Sequence, residues 1–389
     1  MTGIRDFLFS IWRKYACFSI ELLRKEADFI LLKKASSLID FRKVEKRQKI
    51  LNPMKDFAEQ ETIFEYRTDP LTGRNTTVIS GMLAYVTKFL ASEKSVLDSL
   101  LEQSRVACPF CPENVKIKTP MFPPEFLKDG RIFVGDAVVV PNIAGHAEKS
   151  VLVVLSKQHH LKLTEFVPKL LVDGFEGGSV YLKSLQESSS VAQFPVFIFN
   201  YLPPAGSSIF HPHMQILVRD RPFFLVKLMI DKSRAYFRKT GSSFWSDLLQ
   251  KERGKDRYLM KEKRVEWIVP FAPLRGMNEV QAIVRGKSQL LELDSDDWFG
   301  LAEGMSKVLG FYEGQGYSCF NVILISGPMN KHLDYFDVNL RIISRPGVQA
   351  TSFTDAWAAP YLLWDGEAVE PPEQLAERIR DFISQKQGL

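Results

Sequence analysis

The sequence predicts an α+β protein with two similar domains, each an antiparallel sheet flanked by helices, after an N-terminal helical extension. The main observation is an internal repeat. Residues 148–163 match residues 278–293, and both segments have the pattern of a strand, a polar loop and a helix start. A helical stretch follows in each copy, at 165–187 and 295–312, and two apolar strands follow each helix. Two copies of such a unit predict two α+β domains.

Length and composition are those of an ordinary globular chain. The 389 residues provide ample core for two domains, and 45% hydrophobic with 25% charged residues is typical of soluble proteins. The net charge of +5 is mild. It suits anionic substrates and is far from the strongly basic character of a nucleic-acid-binding chain. We therefore expect small anionic partners and no nucleic acid.

The number of cysteines and the lengths of the apolar runs indicate in which cellular compartment the protein is expected. The four cysteines (Cys17, Cys108, Cys111 and Cys319) are too few for a disulfide scaffold of this size, which favours a reducing, cytoplasmic location. No apolar run reaches the roughly 18 residues that a membrane-spanning helix needs. Charged residues interrupt the apolar N-terminus, so it does not resemble a signal peptide.

Residues 1–60 are predicted to form the helical extension. Six apolar residues recur there at helical spacing with Lys and Arg between them, namely Phe7, Leu8, Ile11, Tyr15, Phe18 and Leu22. We interpret them as a face that docks on the rest of the protein; the alternative is an amphipathic helix at a membrane surface. The two domains are then assigned to residues 61–222 and 223–389.

The first domain begins with a turn and a strand. Asp69-Pro-Leu-Thr-Gly73 has the composition of a turn, and the β-branched run from Thr76 to Ile79 predicts a strand. Residues 93–105 predict a short helix that leads into a pair of cysteines.

These cysteines, in Cys108-Pro-Phe-Cys111, have a spacing that lets both thiolates reach one metal ion. His159 follows a predicted strand and His211 begins another strand of the same repeat, so both can supply the remaining ligands. The pattern predicts a tetrahedral zinc site with two Cys and two His ligands. The alternatives are a redox dithiol and two unpaired cysteines in a turn.

A strand of alternating polar residues follows. His211, His213 and Gln215 occupy every other position, so their side chains are predicted to share one face at steps of about 7 Å. If His211 binds metal, His213 is left as a free imidazole, which can attack phosphorus and form a covalent nucleotidyl-histidine. The alternative for His213 is a buried, hydrogen-bonded histidine of the core.

Phosphate chemistry also needs hydrogen-bond donors aimed at the non-bridging oxygens. Gly206, Ser207 and Ser208 are predicted to supply backbone N–H groups and hydroxyls, and the Gln215 carboxamide can donate as well. The second copy of the repeat carries different residues at the matching positions, namely Asp337, Asn339 and Arg341. The chemistry is therefore predicted once per chain, and the second domain is either structural or completes a pocket.

Together these residues resemble the histidine-triad superfamily, and within it the galactose-1-phosphate uridylyltransferase branch. The resemblance covers roughly residues 64–385. In chain order, the matching pieces are Asp69-Pro-Leu-Thr-Gly73, Cys108-Pro-Phe-Cys111, Ile132-Phe-Val-Gly-Asp136, Ser156-Lys-Gln-His159, and the run of Asn200, Gly206, Ser208, His211, His213 and Gln215.

The resemblance implies two tandem histidine-triad-type domains, the first catalytic and the second degenerate, in a homodimer. It implies that His213 is the nucleophile, that His211 is a zinc ligand, and that Asp136 contacts the nucleotide ribose. The implied reaction is ping-pong transfer of a nucleoside monophosphate from a UDP- or ADP-sugar to a sugar 1-phosphate or to phosphate, as in galactose and other carbohydrate metabolism.

The chain also departs from this branch. Residues 80–86 contain no Arg where the family often has arginines that contact substrate phosphates, and residues 355–363 are largely apolar where it places Lys and Glu against the hexose. A uridylyltransferase and an ADP-sugar phosphorylase therefore both remain open. So do a nucleotide hydrolase, against which Gln215 argues because hydrolases usually carry a third His there, and a non-catalytic nucleotide-binding protein.

Overall fold

The structure is a computed structural model that describes residues 38–87, 90–188, 191–275, 277–351, 354–355 and 357–387. Most of the predicted helical extension, including the apolar residues between 7 and 22, lies outside the described residues. Within those residues, no helix is long and apolar enough to cross a membrane.

The chain after position 42 forms a β-hairpin where the sequence predicts a helix. Strand β1 (Lys43–Asn52) pairs antiparallel with β2 (Ala58–Thr68) along its whole length. Ion pairs bridge the two strands, as between Lys49 and Glu59 and between Arg47 and Glu61. The helix prediction is therefore wrong for this part of residues 1–60. The apolar residues at helical spacing end at Leu22, and after position 42 cross-strand pairing with the following segment decides the structure.

This hairpin belongs to the smaller of two sheets. Strand β3 (Asn75–Ile79) pairs antiparallel with β2, and a short strand near the C-terminus, β14 (Gly366–Ala368), pairs parallel with β3. The predicted turn at residues 69–73 connects β2 to β3, and the predicted strand at 76–79 is confirmed.

The main sheet has ten strands, all antiparallel to their neighbours, and each half of the chain contributes five. The strands of the first half are β4 (Ile132–Val134), β5 (Ala137–Pro141), β6 (Lys149–Val154), β7 (Phe194–Tyr201) and β8 (His213–Arg219). Those of the second half are β9 (Tyr258–Glu262), β10 (Val265–Ile268), β11 (Val280–Val284), β12 (Cys319–Ile325) and β13 (Val338–Arg345). The spatial order is β4-β5-β6-β8-β7-β12-β13-β11-β10-β9, so the second half mirrors the first.

Helices lie on both faces of this sheet. They are α1 (Leu83–Val86), α2 (Lys94–Arg105), α3 (Pro112–Lys118), α4 (Pro168–Glu187), α5 (Phe224–Thr240), α6 (Phe244–Glu252), α7 (Ser295–Gly314) and α8 (Pro372–Gln387). The predicted helices at 93–105, 165–187 and 295–312 are confirmed as α2, α4 and α7. The predicted α+β class with antiparallel sheets is confirmed as well.

The two long helices define one face of the main sheet. Both α4 and α7 come close to the strands through glycine: a Cβ on Gly178 would lie 2.4 Å from the Phe197 ring, and one on Gly304 would lie 2.1 Å from Trp267. Met214 and Ile216 of β8 pack into this core. His213 and Gln215 alternate with them along β8 and so lie on the opposite face. Helices α5 and α6 cover part of that opposite face.

The two halves meet at the centre of the sheet, where β7 pairs with β12. In this pair Asn200 stands directly opposite Asn321. The repeat in the sequence does not reveal this contact, since the register between two distant strands depends on long-range packing. It places side chains of the second half beside the predicted active-site strands.

Candidate active site and metal centre

The four predicted metal ligands lie together. Cys108, Cys111, His159 and His211 are all buried, and their ligand atoms are within 4.8 Å of one another. The Cys111 sulfur is 3.5 Å from His159 Nδ1, and both sulfurs are 3.7 Å from His211 Nδ1. A tetrahedral zinc with bonds of about 2.3 Å to sulfur and 2.0 Å to nitrogen separates such atoms by about 3.5 Å. The cluster can therefore hold a metal ion of this type.

Hydrogen bonds near the four candidate ligands orient their side chains toward one another. Cys111 caps the N-terminus of α3, and Asn114 Nδ2 donates to the Cys108 carbonyl at 2.8 Å, which closes the turn between the two cysteines. His211 Nε2 donates to the Ser156 carbonyl at 2.7 Å, and His159 Nε2 lies 2.9 Å from Ser104 Oγ. With Nε2 occupied in this way, each imidazole presents Nδ1 to the thiols, as metal-binding histidines do.

Burial shapes the electrostatics of this cluster. It lowers the pKa of His211 to about 4, so this imidazole is neutral, as a metal ligand must be. Burial, together with the neighbouring Cys108, raises the pKa of the Cys111 thiol to about 12. A thiolate in this position therefore needs a cation beside it.

His213 lies just beyond the cluster, at the first position of β8. His211 precedes that strand, although the sequence predicts all three polar residues within it. His213 Nδ1 donates to the His211 carbonyl at 2.8 Å, which leaves Nε2 as the nitrogen with the lone pair. Burial lowers the pKa of His213, so the ring is neutral. The ring packs against Phe110, with 5.2 Å between the centroids.

A pocket of about 260 Å³ lies in front of His213. Gln215 and Ser208 line it beside His213, and its walls include Phe110, Val140, Ile143 and Ile209. Sequence reasoning missed two further lining residues, Lys118 and His146. Among the described residues the lining contains no carboxylate. The pocket therefore combines apolar walls with cationic or hydrogen-bonding groups, which suits an anionic ligand with an aromatic part.

The turn before β8 uses most of the donors that the sequence assigns to phosphate. Gly206 N–H donates to the Pro203 carbonyl at 2.8 Å and Ser207 N–H to the Leu202 carbonyl at 3.3 Å. The Ser207 hydroxyl donates to the Ile209 carbonyl at 2.7 Å. Gly206 has φ +86°, a left-handed conformation that favours glycine. Within the part of the chain that the structure describes, Ser208 keeps both its N–H and its hydroxyl free of such bonds.

Two other predicted ligand-binding residues lie outside the lining of this pocket. Asp136, in the turn between β4 and β5, is exposed and forms an ion pair with Lys157 at 2.6 Å. Asn200, near the end of β7, accepts a hydrogen bond from Asn321 Nδ2 at 2.7 Å and lines a neighbouring hollow.

Two of the three matching positions of the second half, 337 and 339, are closed. Asn339 is fully buried, and its side chain is held at both ends: Nδ2 donates to the Asp337 carbonyl at 2.6 Å and Oδ1 accepts from Gln281 at 2.5 Å. Asp337 is also buried. Over the described residues, the Cys2His2 group in the first half is the one cluster arranged to hold a metal.

No protein-family model matches the chain. It is 26% identical over 331 residues to an uncharacterized protein from Archaeoglobus fulgidus, an alignment that covers 84% of this chain and 94% of the relative. The fold is similar to that of an ADP-glucose phosphorylase from Arabidopsis thaliana solved with bound ADP-glucose (TM-score 0.63, 18% identity, 83% of this chain and 99% of that chain).

Two further solved structures are similar. A GalT-like protein from Arabidopsis thaliana has a TM-score of 0.62 at 17% identity, with 81% of this chain and 98% of that chain covered. A uridylyltransferase has a TM-score of 0.58 at 20% identity, with 64% and 85% covered. The chain therefore shares its fold with a uridylyltransferase, a GalT-like protein and an ADP-glucose phosphorylase, in agreement with the resemblance seen in the sequence.

Proposed function

We propose that this protein is a nucleotidyltransferase that moves a nucleoside monophosphate from a UDP- or ADP-sugar to a sugar 1-phosphate or to phosphate. The observation that carries the proposal is the state of His213: its proton is held on Nδ1 by the His211 carbonyl, and it lines a pocket without a lining carboxylate. A neutral imidazole with a free Nε2 is the nucleophile that this reaction requires.

The reaction proceeds in two steps. His213 Nε2 attacks the phosphorus that bears the nucleoside, a P–N bond forms, and the P–O bond to the sugar phosphate breaks so that the sugar phosphate leaves with the electron pair. An oxygen of the acceptor phosphate then attacks the same phosphorus, and the P–N bond breaks. Ser208 and Gln215 donate hydrogen bonds to the non-bridging oxygens, and Lys118 and His146 attract the anionic groups at the pocket lining.

The metal proposed for the Cys2His2 cluster is zinc, since two thiolates and two imidazoles suit its tetrahedral preference. Cys108, Cys111, His159 and His211 would hold the zinc, which would crosslink these four residues. The task of the cluster is then to fix His211, whose carbonyl in turn orients His213.

The mirrored strand order supports the proposed division into a catalytic domain, 61–222, and a degenerate second domain, 223–389. Roles for Asp136, Asn200, Gly206 and Ser207 in nucleotide or phosphate binding remain proposals. In the structure as it stands, the donors of Gly206 and Ser207 are used inside the turn. A homodimer in the cytoplasm also remains a proposal, based on the resemblance.

The test is covalent labelling. The protein is incubated with UDP-glucose or ADP-glucose that carries ³²P in the phosphate next to the nucleoside, and the denatured chain is counted. We expect a label that is discharged by galactose 1-phosphate, glucose 1-phosphate or inorganic phosphate, and that is absent in His213→Asn.

The other outcomes separate the alternatives. A label lost only to water supports a hydrolase. No label with either donor excludes both enzymatic readings for those donors and leaves a nucleotide-binding protein. A label retained in His213→Asn shows that the nucleophile is another residue.

A further inference from the structure

We propose that Asn321, a residue of the second half, is a positioning residue for the active-site turn of the first half. The proposal rests on the proposed function, in which Ser208 of that turn faces the phosphate transferred by His213. Asn321 lies on β12 at the seam between the halves, directly opposite Asn200 on β7.

The Asn321 amide joins a strand to the turn. Its Nδ2 donates to Asn200 Oδ1 at 2.7 Å and to the Ala205 carbonyl at 2.7 Å. Ala205 immediately precedes Gly206, Ser207 and Ser208. One side chain of the second half therefore links the end of β7 to the segment that carries the donor for the phosphate.

A charged pair sets the orientation of this amide. Arg345 Nη1 donates to Asn321 Oδ1 at 2.7 Å, and Arg345 is itself held by Asp355 through bonds of 2.9 and 2.6 Å. An arginine can only donate, so the amide oxygen of Asn321 must face it. Both N–H bonds of Nδ2 are then directed at Asn200 and Ala205. We call the set of Asn200, Asn321, Arg345 and Asp355 the seam relay.

The turn needs such support because its own backbone is unfavourable. Leu202, at its start, has φ +67°, which is uncommon for a residue with a side chain. Misplacement of a transition-state donor by about 1 Å can cost on the order of a hundredfold in rate. Loss of the seam relay should therefore lower the rate of phosphorus transfer while affinity for the nucleotide sugar, which depends on the pocket walls, stays nearly unchanged.

A merely structural contact between the halves would behave differently, and the chain offers a matched control. Gln186 Nε2 donates to the Met329 carbonyl at 3.2 Å, also from a side-chain amide to a backbone carbonyl across the halves. Met329 N–H bonds to Gln193, which lies seven residues from Asn200 along the strand, roughly 23 Å away. Gln186→Leu thus removes a similar bond far from His213.

The experiment compares Asn321→Asp, which is nearly isosteric with Asn, and Asn321→Leu, which keeps the branched shape but is larger, with Gln186→Leu and the wild type. Asn321→Asp keeps the acceptor for Arg345 and loses the two donors. Bound zinc, the thermal midpoint and amide hydrogen exchange at residues 202–208 are measured on the full chain. Single-turnover formation of the nucleotidyl-His213 adduct gives the saturating rate and the half-saturating concentration of nucleotide sugar.

For both Asn321 variants we expect a saturating rate about 10- to 100-fold lower, a half-saturating concentration within about threefold of wild type, and unchanged zinc. Exchange of the Gly206 and Ser207 amides, which are hydrogen-bonded inside the turn, should accelerate about tenfold or more. Gln186→Leu should alter none of these, and Asp355→Ala should give a smaller loss of rate because it only releases Arg345.

The proposal is overturned if rate and exchange in the Asn321 variants stay within twofold of wild type, or if Gln186→Leu causes the same losses. If the wild type forms no adduct with any donor, the proposed function fails. Exchange of the Gly206 and Ser207 amides in the variants, compared with Gln186→Leu, then decides by itself whether Asn321 holds the turn.

Discussion

Strands β8 and β13 occupy matching places in the two halves and keep the same internal bond with different side chains. In β8, His213 Nδ1 donates to the carbonyl two residues earlier at 2.8 Å; in β13, Asn339 Nδ2 makes the same contact at 2.6 Å. What differs is the far end of each side chain. His213 Nε2 faces a pocket, whereas Asn339 Oδ1 is bound by Gln281 and fully buried. The strand and its internal hydrogen bond are thus repeated in both halves. The difference is that His213 lines a pocket, whereas Asn339 is enclosed by the protein.

The position two residues earlier shows the same contrast. His211 is a neutral donor within a four-ligand cluster, whereas Asp337 is a buried carboxyl whose Oδ1 accepts from the Gly286 N–H at 3.2 Å and whose Oδ2 has no partner in the described chain. Burial raises the pKa of Asp337 to about 7. In the first half, His211 belongs to the candidate metal cluster. In the second half, the buried Asp337 carboxyl lowers the stability of the folded protein when it is ionised.

The largest effect is expected from exchanging the residues of the two strands. His213→Asn copies the second half into the first and should lower adduct formation about a thousandfold or more, because no nucleophile remains. Asn339→His, alone or with His213→Asn, should create no new adduct, because position 339 is fully buried and both ends of its side chain are hydrogen-bonded inside the protein. The measurement is ³²P labelling of each variant with a nucleotide sugar. A labelled His213→Asn/Asn339→His variant would show that a histidine on β13 is sufficient for adduct formation without the pocket of the first half.

The next largest effect concerns the metal. Cys108→Ser should lower bound zinc from about one per chain to nearly none and reduce the thermal midpoint on the order of 10 °C, since a structural zinc contributes directly to folding. Asp337→His, which copies the first half, should not add a second metal, because no thiols face that position. Elemental analysis and thermal unfolding check both. Full zinc occupancy in Cys108→Ser would contradict the assigned ligand set.

A smaller effect is expected at Asp337 itself. Because its folded pKa is raised, the folded protein holds a proton that the unfolded chain releases above about pH 4, so stability falls as the pH rises from about 4 to 7. Asp337→Asn should therefore stabilise the protein at pH 8 by up to about 4 kcal/mol and have little effect at pH 4. Denaturant unfolding at both pH values tests this. Equal stability of variant and wild type at pH 8 would contradict it.

The smallest effects should be equal in the two halves. Gly178→Ala and Gly304→Ala each place a methyl group against a buried aromatic ring, and each should cost about 1–3 kcal/mol of unfolding free energy. Because both helices use glycine to approach the sheet, a difference above about 2 kcal/mol would show that the two cores are packed differently. Neither variant should alter bound zinc.

Much of the fold follows from local pattern, and the exceptions have physical reasons. Helices α4 and α7 and the strands around them were predictable because their apolar periodicity agrees with their burial. The β1–β2 hairpin was not, because its strands are mostly exposed and charged and are held by pairing with each other. The pairing of β7 with β12, which joins the two halves, could not be predicted, because the sequence of a strand does not indicate which strand it pairs with.

The candidate site divides in the same way. Cys108 and Cys111 are predictable as a pair because their ligand geometry needs a fixed short spacing. Lys118 and His146 are not, because nothing in their immediate sequence indicates that a helix end and a loop line the same pocket. The donors of Gly206 and Ser207 were assigned to phosphate, yet the folded turn uses them internally.

The sequence by itself determined which residue types could do chemistry: two thiols, two imidazoles able to bind a metal with them, and one further histidine, present in one copy of a repeat. Their spacing carries this information because strand alternation and the reach of a short turn are local properties of the chain. Only the tertiary structure decided which Nδ1 atoms face the thiols, that His213 presents Nε2 to a pocket, and that Asn321 of the second half bonds the active-site turn. The contact of Cys108 with His211 and the bond from Asn321 to Ala205 join residues 103 and 116 positions apart, so they exist only once the sheet is assembled. The bond that orients His213 is local, but the pocket in front of it is built from distant parts of the chain.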